Sequence, residues 1–598
     1  MASKGTIGWI LASLVTPSFL HCSSAAPSGN SPTSDDAGDV SALDAASSDG
    51  ALEGGTSDGS GSDGTPTPSC PSVPVQPAGK AASLALYPAP RYSALTTLGA
   101  KPSTACVDTA ALPSHDALDA LVGSILAEAG LKAGTPGSCA CDWSLAFAHA
   151  LPSLSPAAST AWSSAGSNPD RHVVVNVTGA DGRATSTLYA TSETAGLYAL
   201  RAAVATLQSG RVASGEIVDW STVAERGVVE GIYGPSNANA DCGRSTSYWL
   251  PYRMQDRLEL VRLLSRLRMN VFMYGPKCDD YSGPGAWSTP YPTDVAELVQ
   301  TTARLADAQL VRFVWAIRPL TFFSDGGYAT ELAALEAKLD QLRSLDVRHF
   351  ALFWDDSYDY AGSVAQQIQL MNDVDAYVKS KDPSDHLTVV GQPYCSGSSF
   401  CSGPDATTDA FGSGLHPDIE IFWTGPGVEP TTIAASDLAG IDGSYRRKVT
   451  IWDNWPCAGA SYCSPGFHGR AADMPGAIQG YFANPVLDEY NGPALPVVQF
   501  FQVLGPISDY LWNAQAYAAS TASEDASYQR WQPLLTELEP KVGSTCVPCG
   551  SYGAYWTCST TNKQHIEFCD PVTSCLTDIP CPNGCQPQPA GQADICHF

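Results

Sequence analysis

The chain has 598 residues and a net charge of −28, from 32 basic and 60 acidic residues. That length is too great for one hydrophobic core, so two or three domains are expected. With no basic cluster set against that charge, nucleic acid and anionic membrane surfaces are poor partners.

At the N-terminus Lys4 precedes an apolar run, Ile7 to Leu20, which is too short to span a bilayer as a stable helix. The run ends in SFLHCSS. A Cys just after such a stretch resembles the processing site of bacterial lipoproteins, so residues 1–22 read as a lipoprotein-type signal peptide with Cys22 as the lipidated residue. His21 departs from the small residue usual before that Cys, and ordinary signal cleavage nearby is the alternative. The expected location is the bacterial cell envelope, lipid-anchored, or the exterior as a secreted protein. Nineteen cysteines fit an oxidising compartment. Residues 23–79 are Ser, Gly, Asp, Ala, Thr and Pro with almost no large apolar side chain. They bury too little surface to offset chain entropy, and read as a disordered tether.

Residues 80–222 have a mixed α/β pattern. His115–Gly130 has helical spacing, His172–Gly179 and Ala184–Ser192 alternate as strands, and Glu193–Gly210 reads as a helix ending at its glycine. This module resembles the small α/β domain that precedes the barrel in several hexosaminidase families. Cys139 and Cys141 are too close in sequence to pair with each other.

Residues 226–538 repeat a rhythm of a short apolar run ending in polar residues, then a helix-patterned segment. The runs are GVVEGIYG (227–234), NVFMYGPK (270–277), RFVWAIRP (312–319), HFALFWDD (349–356), LTVVGQPY (387–394), IEIFWTGP (419–426), KVTIWDNW (448–455) and IQGYFANP (478–485). Eight strand-then-helix units predict a (β/α)8 barrel. In that fold the site lies at the C-terminal strand ends. These ends carry Gly231 with Tyr233, Lys277, Arg318, Asp355 with Asp356, Tyr394, Thr424, Asn454 and Asn484. So many polar and aromatic groups describe a pocket suited to a sugar, with Trp423, Trp452 and Trp455 available for stacking. The tail, 541–598, holds eight cysteines in 58 residues and reads as a disulfide scaffold. A zinc site at Cys546 and Cys549 is the runner-up, disfavoured by an oxidising address and only two histidines in the segment.

Asp355 and Asp356 end a run of Phe, Leu, Phe and Trp, where a charged pair is expensive to desolvate and adds nothing to packing. A turn or N-cap role is the bland explanation. Two carboxylates in a sugar pocket suggest glycoside hydrolysis. Adjacent acids do not flank a glycosidic bond, but they suit a mechanism in which the substrate's own acetamido group is the nucleophile.

The pieces RGVVEGIYG (226–234), MNVFMYGPK (269–277), FVWAIRP (313–319), FWDD (353–356), IFWTGPGV (421–428), IWDN (451–454) and ANP (483–485) resemble glycoside hydrolase family 84, the bacterial β-N-acetylglucosaminidases and hyaluronidase-like enzymes related to animal O-GlcNAcases. The resemblance covers roughly residues 80–520. It implies that Asp355 orients the acetamido group and stabilises an oxazoline, and that Asp356 is the general acid and then base. It implies a backbone contact at Gly231, sugar hydroxyl contacts from Lys277, and Tyr394 against the acetamido group or the oxazoline. Thr424, Val428 and Trp452 would line the acetamido pocket, with Asn454 and Asn484 on hydroxyls or the anomeric region. Tyr233 belongs to the same substrate-binding set.

Two departures stand out. Ile232 replaces the family's usual Phe, and no acid follows Asn454 before Asp473, where the family has an Asp about five residues on that grips the outer hydroxyls. His468 is a candidate replacement. Disulfides Cys457–Cys463, Cys242–Cys278 and Cys395–Cys401 are plausible ties around the pocket. The expected function is a retaining exo- or endo-β-N-acetylglucosaminidase acting on a glycan or glycoconjugate. The alternatives are a non-catalytic glycan-binding lipoprotein and a hexosaminidase for another 2-acetamido sugar or a glycosaminoglycan. No feature suggests a metal or organic cofactor.

Overall fold

In this computed structural model the described residues are 79–80, 88–230, 254–275, 281, 286–323, 327–355, 362–397, 403–454, 467, 469–484, 501–518, 522–538, 557–559, 562–569, 576–581, 584–589 and 594–596. Among them no helix is long and apolar enough to cross a membrane. The first folded part is a nine-stranded sheet. It comprises β1 (Gly79–Lys80), β2 (Tyr92–Leu98), β3 (Thr104–Asp108), β4 (Lys132–Ala133), β5 (Trp143–Phe147), β6 (His172–Thr178), β7 (Ala184–Ala190), β8 (Leu207–Gln208) and β9 (Arg211–Asp219). Its main path runs β1-β2-β9-β6-β7-β5-β3-β4, with β8 paired to β9 alone.

Strands β5 and β7 bury alternate residues, as a strand with unlike faces must. One face takes helices Asp116–Glu128 and Glu193–Ala205, through Leu118, Ile125, Leu197 and Leu200. The other takes helix Pro156–Ser164. Ser192 starts Glu193–Ala205 by accepting from Ala195 N–H. That helix stops five residues before Gly210. Ser209 and Gly210 both have positive φ and form the two-residue turn of the β8–β9 hairpin, so the glycine is a hairpin residue and not a helix stop. Cys141 is bonded to Cys106, and Cys139 is disulfide-bonded as well.

The second part is a closed barrel of eight parallel strands in chain order. They are β10 (Glu225–Glu230), β11 (Val271–Tyr274), β12 (Arg312–Ile317), β13 (His349–Phe353), β14 (Leu387–Val390), β15 (Glu420–Trp423), β16 (Thr450–Asp453) and β17 (Gly480–Ala483). Seven lie within the segment expected for them, and β10 begins two residues before its segment, at Glu225. Closure comes from β10 pairing with β17, Val228 opposite Ala483. Helices between the strands form the outer layer, packed on Phe272, Trp315, Leu352, Ile421 and Tyr481. Ser363 and Gln366 make a capping box at the start of Val364–Lys381. The helices before β11, β12, β13 and β16 are each followed by a non-glycine residue in the left-handed region: Arg268, Leu310, Asp346 and Arg446. At all four, the next N–H reaches back to a carbonyl five residues earlier, as in Met269 to Leu264 at 2.9 Å.

The two parts share a polar junction. Arg226, at the base of β10, is fully buried and donates to Asp170 at 2.7 Å and to Tyr198 Oη at 3.1 Å. Trp512, at the end of helix Leu504–Trp512, enters the small domain's core and donates to Asp219 Oδ2 at 2.9 Å. In the tail a three-stranded and a two-stranded sheet are tied by Cys558–Cys585 and Cys581–Cys596. Ile566 and Cys581 join the barrel's outer core. Cys546 and Cys549 lie outside the described residues.

Removing Asp170 leaves the Arg226 charge buried without its carboxylate. Asp170→Ala is expected to lose about 3–5 kcal/mol in urea unfolding, and Asp170→Ala with Arg226→Met to recover part of that. His172 gives a second prediction. Burial, aided by the charge of Arg268, pushes its imidazole down to about 3 from an ordinary 6.5. Between those values the unfolded chain binds a proton that the folded chain refuses. This contribution is therefore complete above pH 6.5 and falls by roughly 1.4 kcal/mol per pH unit toward 3. Unfolding midpoints at pH 7, 5.5 and 4.5 should converge for His172→Gln, relative to wild type.

Candidate active site

Strand alternation decides which side chains reach the barrel mouth. The barrel interior is filled by Val229, Val271, Met273, Val314, Ala316, Ala351, Phe353, Val390, Phe422, Trp452 and Phe482. Counting on by two from the last inward residue of each strand gives Arg318, Asp355, Thr424, Asn454 and Asn484. The outward phase gives Glu230, Trp354, Trp423 and Asp453. Trp354 and Trp423 lie in the outer core, so Trp423 packs against helices and does not stack on a ligand at the mouth. Trp452 is in the inner core, its ring 5.1 Å from Phe353 and 5.7 Å from Phe422.

The structure brings Val428, Trp452, Asn454 and Asn484 into one network. Trp452 Nε1 and Asn484 Nδ2 both donate to Asn454 Oδ1, at 2.8 and 2.7 Å. Asn454 Nδ2 donates to Val428 O at 2.9 Å. These bonds fix the Asn454 amide and join the tips of β16 and β17 to the loop after β15. Thr424 N–H donates to Tyr394 O at 2.8 Å, and its hydroxyl to Gly427 O at 2.8 Å. Tyr394 is buried against the inner core, and Tyr445 Oη holds the same loop through Pro393 O at 2.9 Å. Cys395 is disulfide-bonded.

Asp355 is buried, with 5% of its surface exposed. Arg318 donates from Nη1 to its Oδ1 and from Nη2 to its main-chain oxygen, both at 2.6 Å. Asp356, Gly231, Tyr233 and Lys277 lie outside the described residues. So do Cys22, His468, the loop 455–466, and the proposed partners Cys242, Cys278 and Cys401. Gly275, just before that segment after β11, has its open side against Phe353. A Cβ there would sit 2.9 Å from the Phe353 ring, so the close approach requires glycine.

Three supports were missed in the sequence. Asp453, one residue from Trp452, takes both Nε and Nη2 of Arg470 at 2.8 and 2.5 Å, with Tyr481 Oη on the same carboxylate. Arg470 also donates to Pro430 O and Thr431 O at 3.0 Å, which ties the loop after β15 to β16. Glu230 receives a fork from Arg257 at 2.8–3.1 Å. Strand phase alone marks Glu230 and Asp453 as outward acids in need of a partner; nothing local names the partner.

At the opposite, N-terminal end of the barrel, Glu225, His386 and Glu420 bring ligand-type atoms within 4.8 Å of one another. Arg312 pairs with Glu225, and Thr388 and Thr450 donate to Glu420. Burial and the Glu420 charge push Glu225 up. This internally paired cluster closes the floor, the end of such barrels that serves stability.

The β-N-acetylglucosaminidase family model matches residues 226–538. Protein O-GlcNAcase of Mus musculus is 28% identical over 279 residues, covering 43% of this chain and 28% of that protein; the Rattus norvegicus protein gives the same figures. The chain therefore spans little more than a quarter of the length of these curated relatives. The solved structure of CpGH84B aligns with a TM-score of 0.59 and 21% identity, over 77% of this chain and 75% of that one. CpGH84D gives 0.59 and 20%, over 75% and 72%. These two likenesses concern the fold. The family model spans more than half of the sequence and begins at the foot of β10, and the chain belongs to the β-N-acetylglucosaminidase family of glycoside hydrolases.

Proposed function

We propose that this protein hydrolyses β-linked N-acetylglucosamine with retention, through substrate assistance. The observation that carries the reading is Asp355, a desolvated carboxylate aimed by strand phase into a mouth ringed by Thr424, Trp452, Asn454 and Asn484. Family membership supports it. In the proposed reaction the acetamido carbonyl oxygen attacks the anomeric carbon as the glycosidic bond breaks. The departing oxygen takes a proton from Asp356. Asp355 holds the acetamido N–H and balances the positive charge of the oxazolinium form. Asp356, now a carboxylate, takes a proton from water as that water opens the ring, which restores the β configuration. The name of the rodent relatives suggests a glycoconjugate carrying O-linked N-acetylglucosamine as one substrate class.

A second reading is favoured by one sequence observation. No Asp or Glu lies between Asn454 and Asp473, so the outer-hydroxyl grip differs from the family pattern. This supports a different 2-acetamido sugar, a glycosaminoglycan chain, or glycan binding without turnover. We also propose export with lipidation at Cys22, residues 23–79 being a tether; the support is the apolar run and the composition that follows it.

Release of an aryl leaving group from its β-N-acetylglucosaminide tests the activity. Asp355→Asn should lower kcat on every leaving group. Asp356→Asn should lower it by about 10²–10⁴ on an alkyl glycoside and by less on an activated aryl one, because the latter needs little protonation. Binding of N-acetylglucosamine without turnover by the wild type would instead establish the binding-protein reading. Lipidation is checked by fatty-acid labelling of the full chain in a bacterial host, which Cys22→Ser should abolish.

A further inference from the structure

We propose that Arg318 is a positioning residue that fixes the acetamido-holding carboxylate of Asp355; this rests on the activity proposed above. Arg318 follows β12 in the inward phase, and Asp355 follows β13 in the same phase. In the register of these strands Ile317 stands opposite Leu352, so Arg318 must reach about two residues up the neighbouring tip to meet Asp355. It does so with both terminal nitrogens. One takes a carboxylate oxygen and the other takes the carbonyl of the same residue, both at 2.6 Å. A single carboxylate contact leaves the acid free to rotate about its first side-chain torsion. A contact to side chain and main chain together fixes that torsion and also the peptide plane that leaves Asp355. Trp354 N–H, one residue earlier, still donates to Val390 O at 2.9 Å. Beyond that point the arginine fork takes a carbonyl of the kind that a ladder partner takes lower in the strand.

The base of the fork is itself held. Pro319 restricts the backbone after Arg318, and Leu320 N–H returns to Arg318 O at 2.8 Å in a tight turn. Arg318 and Asp355 have 7% and 8% of their side-chain surface exposed. Burying such a pair is a weak source of stability, and apolar residues of similar volume often do as well. The pair's geometry suits a different task. Substrate assistance needs the carboxylate in register with one N–H of a small group, and a displacement of about 1 Å at a reacting centre lowers rate on the order of 10²-fold.

The test is a double-mutant cycle on turnover of aryl and alkyl β-N-acetylglucosaminides by the full chain. Arg318→Ala is expected to lower kcat by about 10²-fold with a smaller change in KM. Arg318→Lys, able to make one of the two contacts, should lie between. Guanidinium added to Arg318→Ala should restore part of kcat. In the Asp355→Asn background Arg318→Ala should have little further effect, since it acts through that acid. A wild type with full turnover and an Arg318→Ala variant of equal kcat would overturn the inference while the activity stands. Additive losses in the cycle would also overturn it and assign Arg318 a general packing role. If Arg318→Ala does not fold, Arg318→Lys decides: kcat equal to wild type overturns the proposal, and a loss confined to the Asp355 background supports it. A wild type without any turnover would overturn the activity, and this role with it.

Discussion

The site depends on the two-residue period of eight strands locked in one ring. A strand that slipped by one residue would exchange its inner and outer faces. In β13 such a slip would bring Trp354 inward and Asp355 out among the helices. In β16 it would exchange Trp452 for Asp453. Parallel pairing around a closed circle leaves no edge at which one strand can shift alone. The mouth is thus assembled by the same hydrophobic alternation that fills the barrel. Phe353, Phe422, Trp452 and Phe482 form the layer on which the polar tips stand.

The buried charges follow the same division. Inward Asp355 is met from within by Arg318, whereas outward Glu230 and Asp453 are met from the helix side by Arg257 and Arg470. The outward pairs have a mechanical consequence. Arg470 bonds at once to Asp453 and to the carbonyls of Pro430 and Thr431, so the loop that carries Val428 is held to the strand that carries Trp452. Asn454 reaches the same loop from the inside through Val428 O. Two independent attachments, on opposite faces of β16, keep the Val428 side of the pocket at a fixed distance from Trp452. Preorganisation of this kind serves a site that must recognise a small group such as an acetamide.

The barrel was legible because each strand is a short apolar run with polar residues at one end, and this pattern survives without knowledge of partners. The phase that separates Trp452 from Trp423 was also present in the sequence. Trp452 is two residues from Asn454, and Trp423 is one residue from Thr424. Counting by twos assigns one ring to the mouth and the other to the helices. Helix ends were less legible. Arg268, Leu310, Asp346 and Arg446 adopt the conformation that glycine favours, at a local cost that packing on the barrel offsets. Gly210 misled for the opposite reason, since a hairpin uses the same conformation. Ion-pair partners such as Arg470 for Asp453 were not legible. Their meeting is set by the path of the loop between them, and side-chain type does not encode it.

The small domain bears on the site through the seam. A barrel's first and last strands are joined only by hydrogen bonds, and the entropy of closing so long a loop opposes their pairing. Here both sides of the seam are anchored in the preceding domain. Arg226, the second residue of β10, is bound to Asp170 and Tyr198. The helix that follows the barrel strands ends in Trp512, which lies in the small domain's core and donates to Asp219. Between them, Thr222 and Val223 donate to the carbonyls of Trp512 and Leu511 at 2.9 and 3.3 Å. The chain segments at the two ends of the barrel are thus held side by side whether or not β10 and β17 are paired. That turns closure of a long loop into closure of a short one. Asn484, which donates to Asn454, stands at the tip of β17, the strand that the seam joins to β10. A domain that lies at the foot of the barrel, opposite the mouth, is in this way part of what keeps the mouth in shape.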